Sequence, residues 1–375
     1  MRDIDTLVIG GGIAGLSAAA RLARHGSTVV LEAEDAVGFH SSGRSATFCH
    51  FGIGGDLVRK LTAMSREVFA RASGEARVAR THPALFIARA DEEERLDALA
   101  RATALHVSDA ERIAGDDLTA IVPVLRRGSD GFVAGLLDRR AFKLDSDALL
   151  QTNIRELRAA GGEVALASPA EAIRREGERW IVDTRGESYS AHYLVNAAGA
   201  WADEIAIRAG VAPLGLRPLR RTIIQFEPPE GVDVSAWPFT KTVGEGFYFL
   251  PEGPARLLAS PMDETPTDPC DAQPEEEDIA LAAWRVEQGT TMTIRHIEHK
   301  WSGLRTFAPD NAPVAGFAPG APGFFWLAGQ GGFGLQTSPA MAMAAEALML
   351  GLAWPEELAA FGISPEEFSP NRFAA

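Results

Sequence analysis

Apolar and polar positions near the start of the chain alternate in a pattern typical of buried strands and a helix. Residues 6–9 form an apolar run, and an Ala-rich segment, residues 13–24, follows after three glycines. Gly26 stands where a helix C-cap glycine is expected, and residues 27–31 form a second apolar run. Strand, helix and strand within about 30 residues predict one unit of a parallel sheet.

An apolar run followed by a glycine cluster occurs twice more along the chain. Helical spacing of apolar residues over 149–157 predicts a helix that is capped by Asp145 or Ser146 and ends at Gly161. Glycine clusters near residues 199 and 331 each follow a strand-like run. We therefore predict an α/β fold with a discontinuous nucleotide-binding domain and an inserted α+β substrate domain on a mixed sheet. The predicted segments are 1–79, 144–216 and 301–375 for the first domain, and 80–143 and 217–300 for the second.

Composition narrows the classes of partner. The 375 residues carry a net charge of -15, from 36 Lys and Arg against 51 Asp and Glu, which disfavours nucleic acid. Cys49 and Cys270 are the only cysteines and lie far apart, so we predict no disulfide framework, metal site or dithiol pair. No apolar run approaches the roughly 20 residues of a membrane span. We expect a soluble, cytoplasmic protein, leave peripheral membrane attachment open, and interpret the acidic window 263–278 as a solvated loop.

The first glycine cluster is a nucleotide fingerprint. GGGIAG at 10–15 matches G-x-G-x-x-G directly between a strand and a helix. Gly10 permits the tight turn, Gly12 lets a pyrophosphate approach the backbone, and Gly15 allows the helix to pack closely on the strand. Glu32 ends the second strand, where a carboxylate accepts hydrogen bonds from the adenosine ribose and repels a 2′-phosphate. The motif predicts a bound dinucleotide without separating FAD from NAD.

Motifs after Glu32 narrow this choice by resemblance. They occur in the order of the D-amino-acid oxidase/dehydrogenase (DAO) family of FAD enzymes, and the resemblance runs over essentially the whole chain. It is strongest to the bacterial D-arginine dehydrogenases. The motifs are GFHSSGRSA at 38–46, IVPVLRR at 121–127, NAAGAW at 196–201, PLRR at 218–221, GLR at 303–305 with Asp310 and Pro313, and GGFG at 331–334.

The resemblance implies a glutathione-reductase-type, Rossmann-like domain with FAD bound non-covalently. Cys49 and His50 follow the flavin loop, but covalently flavinylated members use Cys or His in other sequence contexts. Small residues and glycines suit places where backbone N–H groups touch a ring or a phosphate. The implied FAD-binding residues are Gly10, Gly12, Ile13, Ala14, Gly15, Glu32, Ser41, Ser42, Gly43, Arg44, Ser45, Ala46, Ala198, Gly199, Trp201, Gly303, Gly331, Gly332, Phe333, Gly334, Leu335, Gln336 and Thr337.

The resemblance also implies a set of substrate-binding residues. Arg305 resembles the family arginine that binds the substrate carboxylate, for which a planar guanidinium is suited. Arg221 matches a second arginine and Tyr248 a carboxylate-binding tyrosine, while a structural salt bridge or core packing remains the alternative for each. His50 is the remaining candidate for catalysis, and Gln336 is a candidate for the pocket.

Departures from the D-arginine dehydrogenase pattern bear on the substrate side chain. Phe48 and Ile53 replace a histidine and a tyrosine, Ala84 replaces an acidic residue, and His50 replaces a small polar one. Because a buried cation without a counter-charge is costly, arginine should be a poor substrate. Lys241 replaces an apolar residue, and either points into the pocket or faces solvent. We therefore rank neutral apolar side chains first and acidic ones second.

The predicted reaction is FAD-dependent oxidative deamination of a D-amino acid, with a hydride passing from the α-carbon to flavin N5. Water then hydrolyses the imino acid to a 2-oxo acid and ammonia. The electron acceptor stays open between oxygen, a quinone and a carrier protein. Oxidation of a glycine- or sarcosine-like amine, or of a 2-hydroxy acid or glycerol phosphate, is the alternative; an alcohol needs a base, for which His50 is the nearby candidate. A tRNA-modifying enzyme would need a basic face, and a non-catalytic nucleotide-binding module would not need two arginines and a tyrosine beside the flavin.

Overall fold

A computed structural model describes residues 1–72, 78–128 and 130–373 of the chain. The α-helices are α1 Ile13–Leu22, α2 Asp56–Arg71, α3 Glu93–Ala104, α4 Asp116–Ile121, α5 Ser146–Ala159, α6 Ala202–Arg208, α7 Glu276–Gly289, α8 Gly334–Leu350 and α9 Glu356–Ala359. Single 3-10 turns lie at Ala90–Glu92, Gly199–Trp201, Pro365–Phe368 and Pro370–Phe373. The strands are β1 Arg2–Ile9, β2 Thr28–Leu31, β3 Phe48–Cys49, β4 Ala79–Thr81, β5 Ala84–Ala88, β6 Glu111–Ala114, β7 Ala134–Asp138, β8 Phe142–Leu144, β9 Glu163–Ala165, β10 Ala172–Glu176, β11 Arg179–Asp183, β12 Ser188–Asn196, β13 Arg217–Phe226, β14 Phe239–Thr242, β15 Tyr248–Pro251, β16 Leu257–Ser260, β17 Thr265–Pro266, β18 His299–Phe307, β19 Val314–Phe317, β20 Phe324–Ala328 and β21 Gln330–Gly331.

The first sheet is built around β1. It has eight strands in the order β10-β11-β12-β1-β2-β9, and β20 pairs with the end of β12 and with β19. β1 runs parallel to both β2 and β12. Val8 packs in the core on one face, while Leu7 and Ile9 pack in the core on the other. Burial of both faces explains why the end of the strand, from Leu7 to Ile9, is continuously apolar instead of alternating.

Helix α1 packs closely on this sheet because small residues form its inner surface. A Cβ atom on Gly15 would overlap the carbonyl oxygen of Gly10, so glycine is required there. Helix α5 begins as the sequence predicts: the Asp145 carboxylate accepts a hydrogen bond from the Ala148 amide at 2.9 Å. Helix α8 ends at Gly351, which adopts a left-handed conformation with φ of 63°.

The second sheet supplies the other side of the site. Its ten strands follow the order β21-β18-β13-β16-β15-β14-β5-β7-β6, and β17 pairs with β13. The long strands β13 and β18 pair antiparallel over their whole length. Although β18 and β21 lie mostly in the chain segment assigned to the nucleotide domain, they hydrogen-bond in this sheet. The proposed division into domains therefore stays a prediction. Strands β3, β8 and β4 form a small third sheet.

The longest helix among the described residues, α8, has 17 residues. Within residues 1–72, 78–128 and 130–373, no helix has the length and apolar character needed to cross a membrane. The same ranges contain no group of three or more His, Cys, Asp or Glu side chains arranged to hold a metal ion.

Candidate functional site

A cavity of about 480 Å³ connects the nucleotide fingerprint with the second sheet. It begins at the carboxyl ends of β1 and β2, where ligands of parallel α/β sheets bind. It continues to side chains of β13, β14, β15 and β18. Most of the predicted site residues line it. They are Gly10, Gly12, Ile13, Ala14, Glu32, Ser41, Ser42, Arg44, Ser45, Ala46, Phe48, His50, Ile53, Ala198, Gly199, Trp201, Arg221, Lys241, Tyr248, Gly303, Arg305, Gly331, Gly332, Gly334 and Leu335.

The fingerprint end has the geometry of a phosphate-binding turn. Gly10 has a φ of 114°, and a Cβ atom there would overlap the carbonyl oxygen of Ala197. The Gly11 amide donates to Glu32 Oε2 at 2.8 Å, which fixes the carboxylate at the cavity wall. Ser42 Oγ accepts from the Ile13 amide at 3.0 Å, at the N-terminus of α1. This end therefore combines a helix N-terminus, a close backbone approach and an acidic side chain.

Five of the predicted cofactor residues lie behind the cavity wall: Gly15, Gly43, Phe333, Gln336 and Thr337. Gly15 and Gly43 allow close backbone packing, because a Cβ atom on Gly43 would lie 2.6 Å from the Gly38 carbonyl oxygen. Phe333 is buried against Phe307, with ring centroids 6.1 Å apart. Thr337 Oγ1 donates to the Phe333 carbonyl at 2.8 Å inside α8. These residues shape the wall instead of facing the cavity.

Arg44 lines the cavity, but its guanidinium is bound to protein groups. Nη1 donates to the carbonyl oxygens of Ala272 and Ser302 at 3.0 and 3.2 Å, and Nη2 pairs with Asp271. The side chain thus ties the loop that follows β2 to the second sheet. The guanidinium therefore has a structural role, and a contact of Arg44 with the cofactor stays a prediction.

Two arginines form the far end of the cavity. Arg305 of β18 donates from Nη1 to Glu264 Oε1 at 3.2 Å, and Arg221 of β13 donates from Nη2 to the same oxygen at 3.0 Å. Arg221 Nε also donates to the Asp263 carbonyl at 2.7 Å. Among the described residues, the other N–H groups of Arg305 have no acceptor. Burial and Arg221 lower the pKa of Arg305 to about 9, which leaves the guanidinium protonated at neutral pH and able to bind an anion.

Gly332 makes room for the Arg305 guanidinium. A Cβ atom on Gly332 would overlap Nη2, Nε and Cζ of Arg305. The sequence analysis predicted Gly332 as a contact to the cofactor. Its lack of a side chain also leaves space for the Arg305 guanidinium at the far end of the cavity.

The acidic window 263–278 is largely exposed, as the sequence predicted, but some of its carboxylates bind arginines of the second sheet. The buried Asp263 carboxylate accepts from the Thr222 amide at 2.8 and 3.0 Å. Glu264 bridges the two cavity arginines, as described above. Arg220, the neighbour of Arg221, points to the opposite face and pairs with Glu275 and Asp278. The window therefore supplies counter-charges to three arginines of the second sheet, which local sequence alone does not reveal.

His50 faces the cavity as a neutral ring. Its Nδ1 accepts a hydrogen bond from the Gly52 amide at 3.0 Å, so in the neutral ring the hydrogen resides on Nε2. Burial, with the charges of Lys241 and Arg305, lowers the pKa of His50 to about 3. The side chain can donate a hydrogen bond to a ligand but is unsuited to accept a proton. The neighbouring Cys49 does not line the cavity, and burial raises the pKa of its thiol to about 12.

Aromatic rings form the wall between the two ends. Phe239 of β14 stacks on Phe48 with ring centroids 4.7 Å apart, and on His50 at 4.8 Å. Tyr248 lies against the same ring at 5.3 Å. The sequence analysis did not identify Phe239, although its position two residues before Lys241 on an apolar strand was the available signal.

Two predicted pocket residues do not face the cavity. Ala84 is buried in β5 beside Phe239, with which it pairs in register. Gln336 Nε2 donates to the His50 carbonyl at 3.1 Å and to Thr62 Oγ1 at 2.7 Å, while its Oε1 accepts from the His50 amide at 3.3 Å. Gln336 thus fixes the backbone of His50 and is a positioning residue instead of a ligand contact. We correct both predictions accordingly.

Comparison with known proteins gives one family and several relatives. Residues 5–348 match the DAO family model, described as FAD dependent oxidoreductase. Glycerol-3-phosphate dehydrogenase 1 of Mycobacterium tuberculosis is 25% identical over 329 residues, which cover 80% of this chain and 62% of that protein. The chain thus spans less than two thirds of this relative's length.

Solved structures share the fold over nearly the whole chain. L-proline dehydrogenase from P. horikoshii superposes with a TM-score of 0.85 at 20% identity, covering 100% of this chain and 98% of that chain. Glycine oxidase from Geobacillus kaustophilus gives a TM-score of 0.79 at 20% identity, covering 97% and 99%. The chain therefore belongs to the DAO family of FAD-dependent oxidoreductases, and its cofactor is FAD.

The fingerprint end of the cavity fits this cofactor. No Cβ projects from Gly12, and the nearest atom to the place of one is Ser42 Oγ at 3.3 Å, so the turn is open for a pyrophosphate. Glu32 lies at the cavity wall, where it would accept hydrogen bonds from the ribose. The cavity wall also contains Gly303, Gly331 and Gly332, where a Cβ atom would meet the side chains of Arg44, Phe307 and Arg305 respectively.

Proposed function

We propose that the chain oxidises an amino acid at its α-carbon, with the D-configuration carried over from the family resemblance. The observation that carries the proposal is the pair Arg305 and Arg221, which line the same cavity as the nucleotide fingerprint. Two guanidinium groups on neighbouring strands suit a carboxylate, which they would hold in a fixed orientation. The names of two neighbours of the same fold, a glycine oxidase and an L-proline dehydrogenase, agree with an amine substrate.

Each side chain of the substrate end has a role in this reaction. Arg305 binds the carboxylate, with Arg221 as a second donor. The Tyr248 hydroxyl and His50 Nε2–H add neutral donors at the wall. The aromatic surface of Phe48 and Phe239 excludes water from the α-carbon.

The overall change consumes water and an external electron acceptor (oxygen, a quinone or a carrier protein), which reoxidises the flavin. The α-hydrogen leaves as a hydride, which carries both electrons of the C–H bond. The amine nitrogen also loses one proton to solvent, giving an imino acid. FAD, when bound, supplies the acceptor for both electrons and the hydrogen. Water then adds to the C=N bond and ammonia leaves, giving a 2-oxo acid.

The state of His50 favours an amine over an alcohol substrate. Oxidation of an alcohol needs a base for the hydroxyl proton, and His50 was the candidate for that role. Its Nδ1 is occupied by the Gly52 amide, and its pKa of about 3 makes it a weak base. A neutral amine needs no such base, because its nitrogen lone pair stabilises the positive charge that develops as hydride leaves.

Anaerobic reduction of the bound flavin tests the proposal directly. The holoenzyme is mixed with D- and L-amino acids, glycine, sarcosine, a 2-hydroxy acid and sn-glycerol 3-phosphate, and bleaching of the flavin band is followed. We expect D-amino acids to bleach the flavin faster than their L-enantiomers and faster than either alcohol. Faster reduction by the 2-hydroxy acid or by glycerol phosphate would overturn the proposed function, and faster reduction by L-enantiomers would overturn the configuration.

A further inference from the structure

Lys241 differs from the other lysines of the chain. The chain has four lysines, and three of them contact a carboxylate; Lys60 pairs with Asp56. Lys143 pairs with Glu252 and Lys300 with Glu276. Among the described residues, no carboxylate contacts Lys241, whose Nζ donates only to the Thr242 carbonyl at 3.1 Å. An ammonium group with three donors therefore has one acceptor in the protein.

This lysine lies on the cavity wall. Strand β14 places Lys241 opposite Tyr248 of β15, and both side chains line the cavity. The side chain is mostly buried, and Arg221 and Arg305 line the same end. Burial and these two guanidinium groups lower the pKa of Lys241 to about 8. The protein thus keeps a cation in a place where it is costly unless an anion pairs with it.

The carboxylates near this end are engaged elsewhere. Asp263 binds the Thr222 amide, and Glu264 bridges Arg221 and Arg305 from a position that is half exposed. Neither lines the cavity. Of the three cations that line this end of the cavity, Arg221 and Arg305 therefore share Glu264, while Lys241 contacts no carboxylate among the described residues. One substrate carboxylate on Arg305 leaves Lys241 without a partner.

We propose that the substrate carries a second anionic group that pairs with Lys241, so that it is an amino dicarboxylate of the aspartate or glutamate type. The α-carboxylate binds Arg305, the methylene groups lie against Phe48 and Phe239, and the second carboxylate meets Nζ of Lys241. The sequence alone ranked acidic substrates second, because the direction of Lys241 was open. Its place on the cavity wall reverses that order. This inference rests on the proposed function.

Matched pairs of substrates test it. The ratio of kcat/KM for D-glutamate over D-glutamine, and for D-aspartate over D-asparagine, isolates the charge at nearly constant shape. In the wild type we expect the larger of these ratios to be at least about 10, since a charge-assisted hydrogen bond is worth roughly 10- to 100-fold. Lys241→Met should bring it close to 1, while Lys241→Arg retains part of it. Lys143→Met is the control, because that lysine is also shielded from solvent but lies outside the cavity, where it pairs with Glu252.

A binding measurement gives a readout that does not depend on turnover. Glutarate and butyrate, which cannot be oxidised by this chemistry, are titrated into the holoenzyme while the visible spectrum of the flavin is followed. We expect glutarate to bind at least about tenfold more tightly in the wild type and in Lys143→Met, and this preference to vanish in Lys241→Met.

The outcomes separate this inference from the proposed function. If neutral D-amino acids reduce the flavin fastest and glutarate has no advantage over butyrate, the second anionic group is refuted while amine oxidation stands. If glutarate binds through Lys241 but no amino acid reduces the flavin, the anion site stands and amine oxidation fails. A glutarate preference that survives Lys241→Met overturns the role of Lys241.

Discussion

Replacing Arg305 by alanine should remove the main contact to the substrate carboxylate. The side chain is 14% exposed, and Glu264 occupies only one of its N–H groups, so the rest of the guanidinium is available to a ligand. Truncating one partner of a buried charge pair costs about 2–5 kcal/mol, or roughly 30- to 5000-fold in kcat/KM. Because Arg221 stays and can take part of the charge, we expect the lower half of that range, about 30- to 500-fold.

The assay compares three variants by steady-state kinetics and by thermal unfolding of the holoenzyme. Arg305→Lys keeps the charge but loses the planar fork, so it should lose less than Arg305→Ala. Arg220→Ala is the matched control, since its guanidinium pairs with Glu275 and Asp278 away from the cavity. It should lower Tm and leave KM for the substrate within about threefold. The reasoning is refuted if Arg305→Ala stays within about threefold of the wild type in kcat/KM, or if Arg220→Ala raises KM as much as Arg305→Ala does.

Three further predictions concern other parts of the site. Gly332→Ala should lower kcat/KM by about 10- to 100-fold, because the new Cβ displaces the Arg305 guanidinium. Gly186→Ala, a control with open space around it, should have no effect, and equal activity of the two variants would contradict the steric role of Gly332. His50 should stay neutral across the assay range, because burial and nearby cations lower its pKa to about 3. The pH profiles of kcat/KM for the wild type and His50→Gln should therefore have the same shape between about pH 5.5 and 7.5, and a pH-dependent change present only in the wild type would contradict this. Acid precipitation should release the flavin into the supernatant, since the Cys49 thiol does not line the cavity; flavin that stays in the pellet would show a covalent bond.

Local patterns predicted the parts of the fold that depend on local physics. The run of apolar residues in β1, the small residues of α1 and the Asp145 cap each follow from a requirement within a few residues of chain. Gly10 and Gly15 are similar cases, because the φ of 114° at Gly10 and the contact of Gly15 with the Gly10 carbonyl are both local requirements for glycine. These features could be inferred from the sequence with no knowledge of distant contacts.

The features that were missed depend on residues far apart in sequence. The interpretation of the acidic window as solvated missed its ion pairs, because their partners lie on β13: Glu264 pairs with Arg221, and Asp278 pairs with Arg220. Gln336 is a second example, since its hydrogen bonds to the His50 backbone join α8 to the loop after β3. Neither charge density nor helical spacing contains that information, so only the tertiary arrangement reveals it.

The charge pattern of the cavity bears on how an amine could react without a protein base. Amino acids exist mainly as ammonium zwitterions near neutral pH, and the ammonium form cannot release a hydride. Like charges nearby disfavour a protonated group. Arg221, Arg305 and Lys241 all line the end where the carboxylate would bind, so they favour the neutral amine over the ammonium form there. A neutral His50, which donates from Nε2 and adds no negative charge, is compatible with this arrangement. In the proposed reaction, the cations that would bind the carboxylates of the substrate would therefore also favour the protonation state from which a hydride can leave.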